Sequence, residues 1–343
     1  MTAVPGIEQR GRMADIPTIY TAHDVPDLIA TVPTMLGFRP QESLVAIATH
    51  GERRRFGFCL RVDIPSVDDV DALGELVAAH LCHQGAEGAV LIALTESQDI
   101  AAELLEAVER HLGPIEVVAS IRANGDRYWT SEAGSPAEGI GYESSDHHVA
   151  VVHAIAAGQE ILPDRQALVD RFRAVEHPRR GLLMHASAAV LDQIMPLIHG
   201  SGEADLASIG AREVQPIIVR GLAGQRLDDD DVVRLAVWVS IVPVRDEVWR
   251  QITPTTARDM LRFLTIVCRG VVPPFEPAVL SLTAFAAWLC GDGAQALIAV
   301  ERALASDRGY SMAKLILRIL EGGVAPSAWV AMPGLSADWA TSP

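Results

Sequence analysis

Phe56-Gly57-Phe58-Cys59-Leu60-Arg61-Val62-Asp63-Ile64 alternates in character from end to end. Successive side chains of a strand point to opposite faces. Phe56, Phe58, Leu60, Val62 and Ile64 therefore share one face, and Cys59, Arg61 and Asp63 share the other. Upstream, residues 44–49 are apolar, and His50-Gly51-Glu52 begins a tight connection, so the two segments read as a hairpin. Pro65 ends the second strand. Ser66 and Asp69 have the spacing of a capping box, and Asp68, Asp69 and Asp71 suit a helix start. That helix runs to about His83 with Leu73, Leu76, Val77, His80 and Leu81 on its inner stripe. Residues 89–94 are continuously apolar, as in a strand buried on both faces. A helix over 99–112 turns Leu104, Leu105, Val108 and Leu112 inward and stops at Gly113-Pro114. Residues 115–123 form the next strand, and Asn124-Gly125 returns the chain through Tyr128 and Trp129.

The order β-β-α-β-α-β-β implies a mixed sheet, because strand–helix–strand crossovers are parallel and hairpins antiparallel. This α/β unit covers residues 17–143. Before it, residues 1–16 read as a flexible N-terminus, and residues 25–36 as a short helix interrupted at Pro33. After its last strand, the Gly/Ser/Pro-rich segment 134–141 reads as a loop.

From 146 to 330 the pattern is helical, followed by a flexible tail over 331–343. Helices are expected at 146–158, 164–175, 186–198, 204–222, 229–241, 244–252, 256–269, 278–290, 293–305 and 310–321, punctuated by proline and glycine. Trp288, Gly291, Ala296, Ala299, Ala303, Leu304, Asp307, Tyr310 and Ala313 are spaced like one tetratricopeptide unit. A single unit makes no solenoid, so a tetratricopeptide-like hairpin docked on the other helices is expected.

Composition narrows the function. At 343 residues with 49% hydrophobic residues and mean hydropathy +0.22, the chain holds material for sizeable cores. No uninterrupted apolar run reaches bilayer length, and no apolar run follows Arg10 and Arg12, which points to the cytoplasm and away from a membrane. The net charge of −16 opposes general nucleic-acid binding, and Arg53-Arg54-Arg55 reads as a solvated turn. Cys59, Cys82, Cys268 and Cys290 form no C-x-x-C pair and read as reduced thiols. Lys314 is the one lysine and no G-x-x-x-x-G-K-[ST] string exists, which removes a P-loop.

Several phrases taken together resemble a bacterial family of unknown function, DUF4192. They are Val32-Pro33 with Leu36-Gly37-Phe38-Arg39-Pro40-Gln41-Glu42-Ser43-Leu44-Val45; Leu60-Arg61-Val62-Asp63-Ile64-Pro65; and Arg127-Tyr128-Trp129. Further along come Arg245-Asp246 with Trp249; Ala287-Trp288 with Gly291-Asp292-Gly293-Ala294; and Arg302-Ala303-Leu304 with Gly309-Tyr310-Ser311-Met312-Ala313. Family members often carry clustered cysteines ahead of a Pro-x-Glu-Gly turn. Here residues 131–135 have none, although Pro136-Ala137-Glu138-Gly139 remains. The resemblance brings no activity with it.

Ligands of α/β sheets gather beyond the carboxyl ends of the parallel strands. Those ends offer Asp63 and Thr95-Glu96-Ser97 as acid, base or polar groups, with Arg39 and Arg61 to hold an anion. Tyr128, Trp129, Arg245 and Asp246 complete the candidate binding residues. Each has a structural counterpart: an Arg61–Asp63 ion pair, buried if helices cover that face; Ser97 as a helix cap; an Arg245–Trp249 cation–π contact packing helices together. Ser43 lacks the G-x-S-x-G surroundings of a nucleophile. Asp146-His147-His148 with His153, and His80 with His83, lack metal-site spacing. The two neighbouring histidines, placed on a helix, would point apart. Asp228-Asp229-Asp230-Asp231 reads as a helix start. No cofactor or metal is expected. The sequence points to a non-enzymatic protein-interaction or small-ligand-binding protein, with a protein or peptide partner on the helical half or a small molecule. The alternative is an enzyme acting on a polar or anionic small molecule with Asp63 or Glu96 as acid or base.

Overall fold

In a computed structural model, residues 22–131, 134–143 and 148–329 are described. The expected flexible ends, and Asp146 and His147, lie outside them. The described chain forms a six-stranded mixed sheet and then a helical assembly, in the order the sequence predicts.

The strands are β1 (Ser43–His50), β2 (Arg55–Asp63), β3 (Gly88–Leu94), β4 (Glu116–Ala123), β5 (Arg127–Thr130) and β6 (Ile140–Gly141), arranged β2-β1-β3-β4-β5-β6. Only β3 and β4 pair in parallel. The segment read as a loop over 134–141 thus ends in a sixth strand. Its two residues are too few to show alternation, and backbone pairing with Arg127 and Tyr128 defines it. Gly51 at φ +70° starts the first hairpin and Gly125 at φ +101° turns the last, where the Asn124 side-chain oxygen accepts from the amides of Asp126 and Arg127.

One sheet face packs on α2 (Val70–His83) and α3 (Gln98–His111) through Leu44, Ala46, Leu91, Val77, Leu81 and Leu104. Gly74 lets α2 approach Ala107 of α3, where a Cβ would sit 2.7 Å from the alanine methyl. Helix α2 begins one turn later than the capping-box spacing suggests. Ser66 donates to the Asp69 carboxylate at 2.6 Å, and its side chain accepts no capping bond from the backbone, ahead of a 3₁₀ turn over Val67–Asp69. The opposite face packs on α1 (Val25–Leu36) through Ile29, Val32, Val45, Ile47, Ile92 and Ile121. Pro33 does not interrupt α1. It sits in the last turn, where the one bond its missing N–H removes is offset by a buried ring.

Ten further helices fill the ten predicted positions: α4 (Val149–Ala156), α5 (Arg165–Arg171), α6 (Arg179–Gly200), α7 (Glu203–Leu222), α8 (Asp229–Val239), α9 (Val242–Arg250), α10 (Ala257–Cys268), α11 (Glu276–Leu289), α12 (Gly293–Ser306) and α13 (Ser311–Glu321). Every residue of α11 is buried, because α8, α9, α10, α12 and α13 all pack around it. Helix α4 instead rests on α1, and His148 serves as its N-cap rather than lying on the helix. Helix α6 is 22 residues long and holds an 18-residue window of mean hydropathy 1.4, enough by length and composition to cross a membrane. It buries one stripe, Leu183, Ser187, Val190 and Ile194, in the bundle beside α8.

The acidic run starts α8 as expected. Asp228 and Asp231 form a reciprocal capping box, and Arg179, Arg234 and Arg220 pair with Asp229, Asp230 and Asp231. The Arg302 guanidinium joins three segments. It donates to the carbonyls of Phe172 and Cys268 and pairs with the buried Glu276 carboxylate at 2.7 Å.

Candidate functional site

β1 runs antiparallel to both β2 and β3, so the carboxyl ends of β2, β3 and β4 lie at one end of the sheet. The Thr95 amide donates to the Ala123 carbonyl at 3.0 Å, tying the parallel ends together. Beyond them opens a cleft of about 370 Å³. Ile29, Val32 and Pro33 of α1 and Val151 of α4 form an apolar wall. Arg39, Glu42, Thr95, Glu96, Asn124 and Tyr142 supply the polar groups.

Glu42 fixes the geometry. Its φ of +42° is left-handed, a conformation unfavourable for a side chain with a Cβ. Two contacts hold it there. Its carbonyl accepts from the Ile64 amide at 3.0 Å, and its carboxylate accepts from the Thr95 hydroxyl at 2.7 Å. Thr95 is buried and also accepts from the Ser97 amide at 3.2 Å, so the single hydroxyl proton is directed at Glu42. Beside this pair, the Asn124 side-chain amide donates to Glu96 at 3.0 Å. The Tyr142 hydroxyl titrates above its usual range, chiefly because it is buried. A Gly125 backbone hydrogen bond opposes that rise and Asp126 adds to it.

The structure brings Arg39, Thr95 and Glu96 into this cleft and leaves the other candidates outside it. Asp63 is 79% exposed and pairs with Arg61 at 2.5 Å, while the Arg61 side chain is largely covered. The expected burial of both charges fails at Asp63, because the strand ends there and no helix covers it. Arg61 also donates to the Ser43 hydroxyl at 2.8 Å, which in turn donates to the Gln41 carbonyl, so Ser43 is an internal brace. Ser97 occupies the N-cap position of α3, but its hydroxyl makes no capping bond. Tyr128 packs edge-on against Tyr142, with ring centroids 6.0 Å apart. Trp129 lies on the opposite face, where the Arg122 guanidinium stacks 3.4 Å from its ring centroid. Burial holds the Arg122 pKa down and Glu96 partly restores it. Gly139 at φ +74° is where the Pro136–Gly139 turn meets that indole, since a Cβ would come within 2.5 Å of it.

The remaining candidates serve the helical packing. Arg245 does not stack on Trp249. It pairs with Asp246 at 2.7 Å, donates to the Tyr310 hydroxyl at 3.1 Å and lies 5.9 Å from that ring. Trp249 packs instead with Phe285 and Trp329. His148 contacts Asp27 at 2.9 Å, joining α4 to α1.

The matching phrases now fall on one folded unit. A model of the domain of unknown function DUF4192 matches residues 26–327. The chain belongs to this family. No curated protein and no solved structure matches the chain. In this DUF4192 chain the matched phrase from Leu36 to Val45 is the segment that places Arg39 and Glu42 in the cleft. Glu42, Asn124 and Tyr142 are not among the residues the sequence marks as candidates. Left-handed backbone at a non-glycine position leaves no compositional mark, and Asn124 reads as part of its turn. The available signal is a polar run, Arg39 to Ser43, entering a strand whose residues 44–48 are all apolar.

Proposed function

We propose that this protein binds a small molecule at the strand-end cleft without transforming it, and that the ligand presents N–H or O–H donors, such as a protonated amine, on an apolar body. The carrying observation is Glu42: a strained backbone whose carboxylate is aimed by a buried threonine at the mouth of an apolar-walled cleft. Strain of this kind is retained where the surrounding structure over-determines it, and it clusters at ligand clamps. The Glu42 and Glu96 carboxylates beside Ile29, Val32 and Val151 favour donors attached to an apolar body. The binding reading is preferred to the enzymatic one on three grounds. Asp63 stands outside the cleft, Ser43 is engaged on both sides, and Glu96 is hydrogen-bonded to Asn124.

Native mass spectrometry of the purified full chain, followed by thermal-shift measurements with amines, amino acids and nucleosides, tests this. A retained or stabilising donor-rich compound that is lost in Glu42→Gln supports it. No retained mass and no shift from any compound overturns it.

We read α11 and α12 as a tetratricopeptide-like hairpin. Gly291 at φ +77° turns the chain, and Ala287, Ala296, Ala299 and Ala303, all buried, let the two helices approach.

A further inference from the structure

The polar groups of the strand-end cleft differ in what they have left to offer. The Thr95 proton is given to Glu42. The Asn124 side chain is engaged at both ends, its amide on Glu96 and its oxygen on the Asp126 and Arg127 amides. The Glu42 and Glu96 carboxylates are exposed and keep acceptor capacity beyond those single bonds.

Two donors line the same cleft. The Arg39 guanidinium presents five N–H groups, so it can take a carboxylate in addition to any contact it already makes. The Tyr142 hydroxyl accepts from the Gly125 amide, which leaves its own proton to give, and burial keeps that proton in place.

The positive and negative groups are held in position. Arg39 precedes Pro40, which restricts its backbone to extended conformations. Its amide donates to the Leu162 carbonyl at 3.0 Å, and the Leu162 amide donates to the Gly37 carbonyl at 2.9 Å. Phe38 between them is buried in the helical core. Glu42 is pinned by Ile64 and Thr95. A cation and an anion three residues apart thus sit on backbone anchored to both halves of the fold. Such preorganisation suits a ligand that carries both charges.

The rest of the cleft limits the ligand's body. Its volume of about 370 Å³ lies at the small end of ligand sites. The wall from α1 and α4 is aliphatic and offers no hydrogen bond to a sugar or a base. A purely cationic ligand would be repelled by Arg39, and a purely anionic one would meet two carboxylates. A zwitterion on a small apolar body satisfies every group.

We propose, resting on the reading of this cleft as a site for donor-bearing ligands, that the ligand is a free apolar amino acid. Glu42 and Glu96 hold its ammonium, Arg39 and Tyr142 its carboxylate, and the wall from α1 and α4 its side chain.

Isothermal titration calorimetry on the purified full chain tests this with L-leucine, L-methionine and L-phenylalanine, each beside its decarboxylated amine and its deaminated acid. At least one amino acid should bind. Its amine and its acid should each bind at least about tenfold more weakly, because each lacks one charge-assisted contact. In Arg39→Gln that amino acid should bind no more tightly than its amine. If circular dichroism shows the variant unfolded, the wild-type series decides alone. An amine that binds as tightly as its amino acid overturns the amino-acid assignment and leaves the donor-ligand reading standing. An acid that binds as tightly as its amino acid overturns both. Failure of all three amino acids to bind overturns the assignment, and the amines then decide the broader reading.

Discussion

The Thr95 hydroxyl donates to the Glu42 carboxylate at 2.7 Å, joining residues 53 positions apart at the open end of the sheet. The bond starts from a buried threonine and ends on an exposed glutamate whose backbone is left-handed. A bond placed for stability alone would not need that conformation, which costs about 1–2 kcal/mol for a residue with a Cβ.

Glu42→Gly separates the two roles. Glycine relieves the left-handed strain but loses the carboxylate bond and adds freedom to the unfolded chain, contributions of about 1 kcal/mol each. Stability by chemical denaturation should stay within about 1 kcal/mol of wild type, while any mass retained in native spectra disappears. A loss of several kcal/mol would make Glu42 a structural residue.

Asp63→Asn should alter stability by no more than about 0.5 kcal/mol, because an exposed ion pair contributes little. The strand pattern alone suggests a buried pair and a large loss. The structure leaves Asp63 79% exposed beyond its partner. The melting temperatures of wild type and variant decide between them.

What the sequence conveys is local pattern. Period-two alternation locates β2, although a bulge between Phe56 and Cys59 pairs Phe56 with Thr49 and turns it to the face opposite Phe58, Leu60 and Val62; Asn124-Gly125 locates the last hairpin, and apolar periodicity bounded by prolines locates ten helices. Register and coverage are not local. Leu76 lies on a plausible inner stripe, but whether anything covers that stripe depends on β2 being the last strand. Arg245 and Trp249 share a helix face, yet Tyr310, 65 residues on, takes the guanidinium. Glu42 needs both Ile64 and Thr95 to define it, and neither is a sequence neighbour.

Arg302→Met should destabilise the helical half by about 3–5 kcal/mol, the usual cost of removing one member of a buried pair. Glu276 is left buried without this partner, and the carbonyls of Phe172 and Cys268 lose a donor. Adding Glu276→Gln should recover part of the loss, because it removes the stranded charge. Equal stability of the single and double variants would show that the carbonyl bonds, not the ion pair, carry the effect.

Asp292 gives a pH-dependent case. As N-cap of α12 it accepts from the Gln295 amide at 2.9 Å and from the Gln295 side chain at 2.6 Å. Burial nevertheless raises its pKa above 3.8, outweighing both hydrogen bonds and the attraction of Arg171. A raised folded-state pKa means that the fold holds this proton more tightly than the unfolded chain does. The contribution is therefore full below the unfolded value and lost as pH rises through the folded one, so near pH 7 the charge weakens the fold. Asparagine caps a helix about as well as aspartate and carries no charge, although it gives up a dipole attraction of about 0.3–1 kcal/mol. Asp292→Asn should be at least as stable as wild type near pH 7, and its advantage should shrink as the pH falls through the raised folded-state pKa and the wild-type carboxyl takes up its proton. Denaturation curves of both proteins across that range measure the difference. Two parallel curves would show that burial does not dominate at this cap.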